Sequence, residues 1–482
     1  MEMNQGLAWT KPSRKNMLGF LGAWGIFFAV MAAPVPKGLS PQALCTLAVV
    51  LWSVIIWVTE AVPVGVTGLV IPMLLLVTGA LPKMEDAFAG YVAGTTYLCL
   101  GAFIFASLMQ LSGLDKRIAV AVLNVFKVKK ADELIKGMFV TNFILSLLIP
   151  ATAARGTTLL PIVKGLVEVF GDTPEERRAK SAIVIQSMVY ATMICGVVVM
   201  TAHMPNIIMV NLFEKKFGYS IGYLQWFWLH APMLILWVLI YYWTRWFFKT
   251  KDVHIDGGVE RIGRMRKEMG KSTPIERMLL GFFCLTAVAW ATSKPLFGLD
   301  VGAMTIVMLS IIFIPGLLPW KWNLIQKNTT WGTFLFLAGA MSLSVAMSKT
   351  GLAKYLAGLA QPLAMDQHWA VALLILMLAT HVIRIGMLSN VAAIAFLAPV
   401  MADLASNYGY NPIPFTMLVC DVDTFAFLIP TQVTVGVLAY SSGAFSMKDY
   451  ALVGLGTMTI AIIFDIAIMA PWYAFNGLPL IP

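Results

Sequence analysis

Long apolar runs with few polar interruptions recur from one end of this chain to the other. They cover Met17 to Ala33 and residues 41–58, 63–80, 93–111, 181–210, 226–247, 277–293, 301–318, 331–348, 412–440 and 450–473. A half-buried helix or strand of a soluble domain would show polar positions at a period of 3.6 or 2, and these runs do not. Roughly 20 apolar residues are what a helix needs to cross the hydrocarbon core of a bilayer. The pattern therefore predicts eleven transmembrane helices. Two further apolar stretches are broken inside. The first runs from Gly137 to Val169 and is interrupted from Pro150 to Thr158; the second covers residues 364–402, with a tip from Met387 to Ala392. The expectation is an all-α polytopic membrane protein, not a barrel, whose strands would alternate apolar and polar residues.

Charge sets the direction of the spans, because Lys and Arg gather in cytoplasmic loops. Lys11, Arg14 and Lys15 place the N-terminus in the cytoplasm, and alternation then puts the C-terminus outside. The strongest basic loop, holding Lys249, Lys251, Arg261, Arg264, Arg266, Lys267 and Lys271, divides the chain near its middle. The first broken stretch has charged flanks on both sides, Lys130 to Lys136 and Glu175 to Lys180. It should enter and leave from the cytoplasm as a re-entrant hairpin, tolerable at membrane depth only if buried in protein or lining a cavity. The second broken stretch should enter from outside. The first run lacks a cleavage site and reads as a retained span of a cell-membrane protein.

Composition removes other classes. Charged residues make up 12% of the chain, half of the roughly 25% usual in soluble domains, which excludes a soluble enzyme and a disordered protein. The net charge of +10 belongs to the orienting loops and predicts no nucleic-acid partner. Cys45, Cys99, Cys195, Cys284 and Cys420 are scattered through apolar stretches and form neither a metal motif nor a disulfide framework. Phosphate-loop, zinc-ligand and dinucleotide patterns are absent from the sequence, so no cofactor, primary pump or enzyme is expected.

The halves match at a constant offset of 238: Thr95 with Thr333, Gly101 with Gly339, Gly113-Leu114 with Gly351-Leu352, Lys116 with Lys354 and Pro161 with Pro399. The same offset lays Ala151-Thr152-Ala153 on Ser389-Asn390-Val391. Inverted repeats with interrupted helices in matching places are the signature of a secondary transporter with its site near the midplane. Helix N-termini at the tips would favour an anion there.

The residues Trp57-Val58-Thr59-Glu60-Ala61-Val62-Pro63, the two tips, Thr201-Ala202-His203-Met204-Pro205-Asn206 and Ala426-Phe427-Leu428-Ile429-Pro430-Thr431 resemble the divalent anion/sodium symporter family over nearly the whole chain. The resemblance implies carriage of di- or tricarboxylates, an elevator mechanism and a homodimer joined through scaffold domains. It divides the chain into scaffold (1–136), transport domain (137–248), basic loop (249–275), scaffold (276–360) and transport domain (361–482). The family's Ser-Asn-Thr tips, which help bind sodium, are altered here. The first has lost Ser and Asn and is followed by Arg155; the second has lost Thr. That departure is similar to the sodium-independent exchanger branch and implies exchange of C4 or C5 dicarboxylates such as malate, succinate, fumarate or 2-oxoglutarate. A sodium-coupled dicarboxylate, citrate or tartrate symporter is the alternative.

The candidate substrate residues are Thr152, Arg155, Thr157, Ser389, Asn390, Asn206, Thr431 and Thr434. Arg155, His203, His381 and Arg384 are candidates for replacing a coupling cation or balancing charge. Arg155 can hold a carboxylate bidentately, or pair with an intramembrane acid. His381 and Arg384 share a helix face and can serve as a second fixed cation or pair with Asp421 or Asp423. Ser389 and Asn390 can bind substrate or cap the following helix. Asp421 and Asp423 point to different faces, against a catalytic dyad. Glu60 is expected to pin the break after span 2 as part of the scaffold, and Asp465 has no assigned role.

Overall fold

Capping residues open several of the apolar helices at a defined place. Ser40 accepts the Ala43 N–H at 3.0 Å, and Thr173 and Thr273 form capping boxes with Glu176 and Glu276, each with Pro in the first helical turn. The computed structural model describes Ser13–Ile481 apart from Pro150, Ala151, Asp172, Asp252, residues 318–320, Met365 and Leu388. Lys11 and the first residue of the first tip, Ala151, lie outside the described residues.

In the first half the principal helices are α1 (Arg14–Ala32), α2 (Pro41–Thr59), α3 (Val64–Val77), α4 (Gly94–Ser112), α5 (Leu114–Phe126), α6 (Ala131–Ser146), α7 (Thr152–Val167), α8 (Pro174–Val198), α9 (Met204–Phe217) and α10 (Tyr223–Phe248). After α11 (Gly258–Glu268) the second half contains α12 (Pro274–Phe297), α13 (Val301–Ile312), α14 (Trp331–Thr350), α15 (Leu352–Ala360), α16 (Trp369–Gly386), α17 (Asn390–Asn407), α18 (Pro412–Thr424), α19 (Thr434–Tyr440) and α20 (Met447–Phe475). The starts of α3 and α13, α4 and α14, α5 and α15, α6 and α16, α7 and α17, and α8 and α18 are 237 or 238 residues apart. The sequence repeat is thus a repeat of helices.

Among the described residues, ten helices are long and apolar enough to cross a membrane. The all-α membrane architecture is as expected, with four corrections. Expected spans 3 and 8 are the 14-residue α3 and 12-residue α13, about 21 and 18 Å long at 1.5 Å per residue. The ten include both arms of the second hairpin, α16 and α17. The first hairpin's interruption is shorter than expected: α7 is already helical at Thr152, so Arg155, Thr157 and Thr158 lie on its first turns. Spans 5 and 10 break at Val198 and Thr424, close to Asn206 and to Thr431 and Thr434 as expected, and resume after irregular segments as α9 and α19. The basic stretches hold amphipathic helices, α5 and α11, whose charged faces hid them from a search for apolar runs.

The two halves lock together where α3 crosses α14. A Cβ on Gly68 would lie 2.1 Å from the Leu335 carbonyl oxygen, and one on Gly339 would lie 2.4 Å from that of Gly68. Small residues let helix backbones approach this closely in a membrane. Gly68→Ala should force the pair apart at about 1–3 kcal/mol, lowering the thermal unfolding midpoint in detergent. Gly22→Ala, whose Cβ meets nothing within 4 Å, should leave it unchanged. An unshifted Gly68→Ala midpoint would contradict this packing.

Candidate functional site

The described residues at the two hairpin tips, 147–149 in the first and Met387 and Ser389 in the second, are non-helical, and each of α8 and α18 gives way to an irregular break. These four segments converge on one cavity of about 750 Å³. Thr152 and Thr157 of α7, His203 at the first break, Ser389 and Asn390 at the second tip, and Thr431 and Thr434 at the second break all line it. The opposite wall carries Trp57, Glu60, Gln110, Thr330 and Thr333. Glu60, expected to belong only to the scaffold, is therefore on the cavity; its left-handed conformation (φ 53°) ends α2 and turns the chain there.

Ser389 accepts the Ala392 N–H at 3.3 Å and so caps α17. The N-termini of α7 and α17 both face the cavity, each presenting a positive dipole end.

The remaining predicted residues stand behind this wall. Arg155 is fully buried. Its Nη1 donates to the carbonyls of Ile149 (2.8 Å) and Ala202 (3.0 Å), and its Nη2 to that of Thr192 (3.0 Å). No carboxylate pairs with it among the described residues. Arg384, also fully buried, donates to the Met387 carbonyl, to Asn390 Oδ1 and, at 2.6 Å, to the Gln432 carbonyl. Its Nε lies 3.5 Å from Asp423 Oδ1. The two arginines are chemical counterparts. Each holds the carbonyl just before a tip, Ile149 or Met387, and the carbonyl closing the short turn in a break, Ala202 or Gln432.

Donor logic then orients the neighbours. Guanidinium only donates, so the Asn390 atom facing Arg384 is oxygen and the one facing His203 is the amide nitrogen. That nitrogen lies 3.3 Å from His203 Nε2, which must accept. This contact joins the first break to the second tip. Asn206 is not on the cavity; its Nδ2 donates to the carbonyls of Gly196 (2.9 Å), Val197 (3.3 Å) and Val199 (3.2 Å) and holds the first break open. Gln432, unmarked in the sequence, does the same for the second: its Oε1 accepts from the amides of Leu428 and Ile429, both at 2.9 Å.

Asp421 pairs with neither His381 nor Arg384. Its Oδ2 lies 3.2 Å from His230 Nε2 and accepts from the Tyr473 hydroxyl at 3.3 Å. His381 and Asp465 are buried with no hydrogen-bond partner among the described residues. Below the cavity, Thr158 of α7 donates to Asp115 of α5 at 2.7 Å, and burial pushes the Asp115 carboxyl above its usual range. The residues missed by sequence reasoning are Trp57, Glu60, Gln110, Thr330, Thr333 and Gln432. Thr333 carried a signal, as the repeat partner of Thr95.

Residues 14–478 match the family model described as the sodium:sulfate symporter transmembrane region. A sodium-dependent dicarboxylate transporter, SdcS, of Staphylococcus saprophyticus is 26% identical over 452 residues, covering 89% of this chain and 86% of the relative. A citrate/succinate antiporter of Escherichia coli K12 is 25% identical over 491 residues, covering 95% and 98%. Among solved structures, the YdaH transporter of Alcanivorax borkumensis superposes with a TM-score of 0.54 at 13% identity, covering 91% of this chain and all of that one. MtrF of Neisseria gonorrhoeae superposes with a TM-score of 0.57 at 13% identity, covering 98% and 97%. These two likenesses concern the fold alone.

Proposed function

Because the chain belongs to the family of the sodium:sulfate symporter transmembrane region, we propose that it is a secondary active transporter of dicarboxylates that exchanges one anion for another without sodium. The observation that carries the exchange reading is the pair of buried guanidinium groups. A hard cation needs several free oxygen ligands. At the first tip the carbonyls of Ile149 and Ala202 already accept from Arg155; at the second, those of Met387 and Gln432 and the Asn390 oxygen accept from Arg384. Among the described residues this leaves few free oxygens at either tip, which supports a reading without sodium.

The charge suits a dianion. Within the transport domain Arg384 is opposed by Asp423, which leaves Arg155 and two helix N-termini, each worth roughly half a charge; the carboxylate on the cavity wall, Glu60, belongs to the scaffold and does not move with them. Thr152, Thr157, Thr431, Thr434, Ser389 and the His203 ring supply the polar contacts on the wall. A permanent positive charge makes movement of the empty site through the membrane costly. A bound dianion cancels it, so the loaded site moves and the empty one does not. That asymmetry makes exchange obligatory.

In this reading the scaffold (1–136 and 276–360) stays fixed in a homodimer while the transport domain (137–248 and 361–482) moves as an elevator. With the N-terminus cytoplasmic, Glu60 at the end of α2, Gln110 near the end of α4 and Thr330 before α14 all lie toward the cytoplasm. The cavity then opens inward.

The test is uptake of labelled succinate, malate or 2-oxoglutarate into proteoliposomes, with or without internal unlabelled dicarboxylate and with or without a sodium gradient. Uptake should require internal substrate and ignore sodium. Sodium-driven uptake into empty vesicles would make the protein a symporter and overturn the arginine argument.

A further inference from the structure

Away from the substrate cavity, α5 and α11 enclose a second cleft of about 690 Å³, lined by Arg117, Ala121, Gly263, Arg266, Lys267 and Lys271 among others. Its frame is built. Arg117 Nε meets Glu276 at 2.9 Å, and its Nη atoms donate to the carbonyls of Gly270 and Met269, both at 2.9 Å. Arg117 is thus fully used, and it pins the turn after α11 to α5 and to the start of α12.

The other three cations are free. Arg266, Lys267 and Lys271 are exposed and have no ion pair or side-chain hydrogen bond among the described residues, and no Asp or Glu lines the cleft. Val120 and Ala121 supply an apolar floor, and Val125, one turn further along α5, is 76% exposed. The depth follows from the neighbouring spans. The cleft's lining comes from α5, which starts two residues after α4 ends at Ser112, and from the segment that runs up to Ser272, two residues before α12 starts at Pro274; α4 and α12 are both long enough to cross the membrane. The cleft therefore lies at the level of the lipid headgroups.

We propose that this cleft binds an anionic phospholipid, its phosphodiester against Arg266, Lys267 and Lys271 and an acyl chain along Val120, Ala121 and Val125. Basic pockets at a membrane surface select anionic headgroups. A free phosphate ion would satisfy the cations but leave the apolar floor and Val125 uncovered, so the lipid is the better complement. Arg261, on the same helix, donates to the Gly165 carbonyl of α7. The occupant thus sits at the junction of α5, α11 and the first hairpin.

The test is a thermal unfolding titration of the purified protein in neutral detergent with phosphatidylglycerol, phosphatidylcholine or inorganic phosphate. Phosphatidylglycerol alone should raise the midpoint. The combined Arg266→Gln, Lys267→Gln and Lys271→Gln variant should bind it on the order of 100-fold more weakly, about 3 kcal/mol. Gly263→Leu gives an independent check, since a Cβ there meets nothing within 4 Å. It should fold normally, fill the cleft and abolish the phosphatidylglycerol effect. Equal shifts with phosphatidylcholine, the same shift with inorganic phosphate, or an undiminished effect in Gly263→Leu would each overturn the proposal.

Discussion

Arg155→Gln should cut succinate exchange at least tenfold per folded protein, and Arg155→Lys should not restore it. The guanidinium reaches three carbonyls on three segments: Ile149 before the tip, Thr192 in α8 and Ala202 in the break. A single ammonium cannot reproduce that planar fork. Hydrogen bonds to a charged group contribute about 1.5–3 kcal/mol each, and a buried acceptor left unpaired costs about 1–3 kcal/mol. Either variant therefore loosens the first tip, and Arg155→Gln also removes its positive charge. Each 1.4 kcal/mol is a factor of ten in affinity, so the stated loss is a lower bound. The check is exchange per molecule recovered as a monodisperse peak. Wild-type transport by Arg155→Gln would show that neither the grip of Arg155 on the first tip nor its charge is needed.

The second large effect concerns Arg384 and Asp423, both fully buried and 3.5 Å apart. Breaking a buried pair from one side typically costs about 3–5 kcal/mol, because it strands the other charge. Arg384→Leu should accordingly lower the unfolding midpoint strongly. Arg384→Leu with Asp423→Leu should recover most of that loss, since no charge is then stranded. Exchange should stay absent in the double variant. Arg384 also holds the Met387 and Gln432 carbonyls and orients Asn390, and leucine does none of this. Destabilisations that simply add would show that the two groups do not act as a pair. A double variant that transports would show that the second tip needs no cation.

Much of this was legible in the sequence. The offset of 238 paired the helices of the two halves, and seven of the predicted polar residues line one cavity. The equivalence of the arginines was not legible. At the repeat offset Arg155 falls on Ala393 and Arg384 on Ser146, because the two come from opposite arms of their hairpins, α7 after one tip and α16 before the other. Of the carbonyls they grip, only Ile149 and Met387 keep the offset of 238; Ala202 and Gln432 are 230 residues apart. Arg155 also looked like a clamp facing substrate, since an unpaired guanidinium in an apolar run suggests an anionic partner. Backbone carbonyls bared by a broken helix, invisible in a sequence, occupy it instead. The surface helices α5 and α11 were hidden because their charged faces read as loops.

The partners of each arginine also bear on how the chain assembles. Among the described residues, every hydrogen-bond partner of the Arg155 side chain lies between Ile149 and Ala202, and every hydrogen-bond or ion-pair partner of the Arg384 side chain lies between Met387 and Gln432. Each charge can therefore be seated by its own half as it leaves the ribosome, N-terminal half first. The first half need not hold an unsatisfied guanidinium in the bilayer while it waits for the second. Docking of the two then adds the His203–Asn390 contact and the shared cavity, but, among the described residues, no new partner for either buried cation.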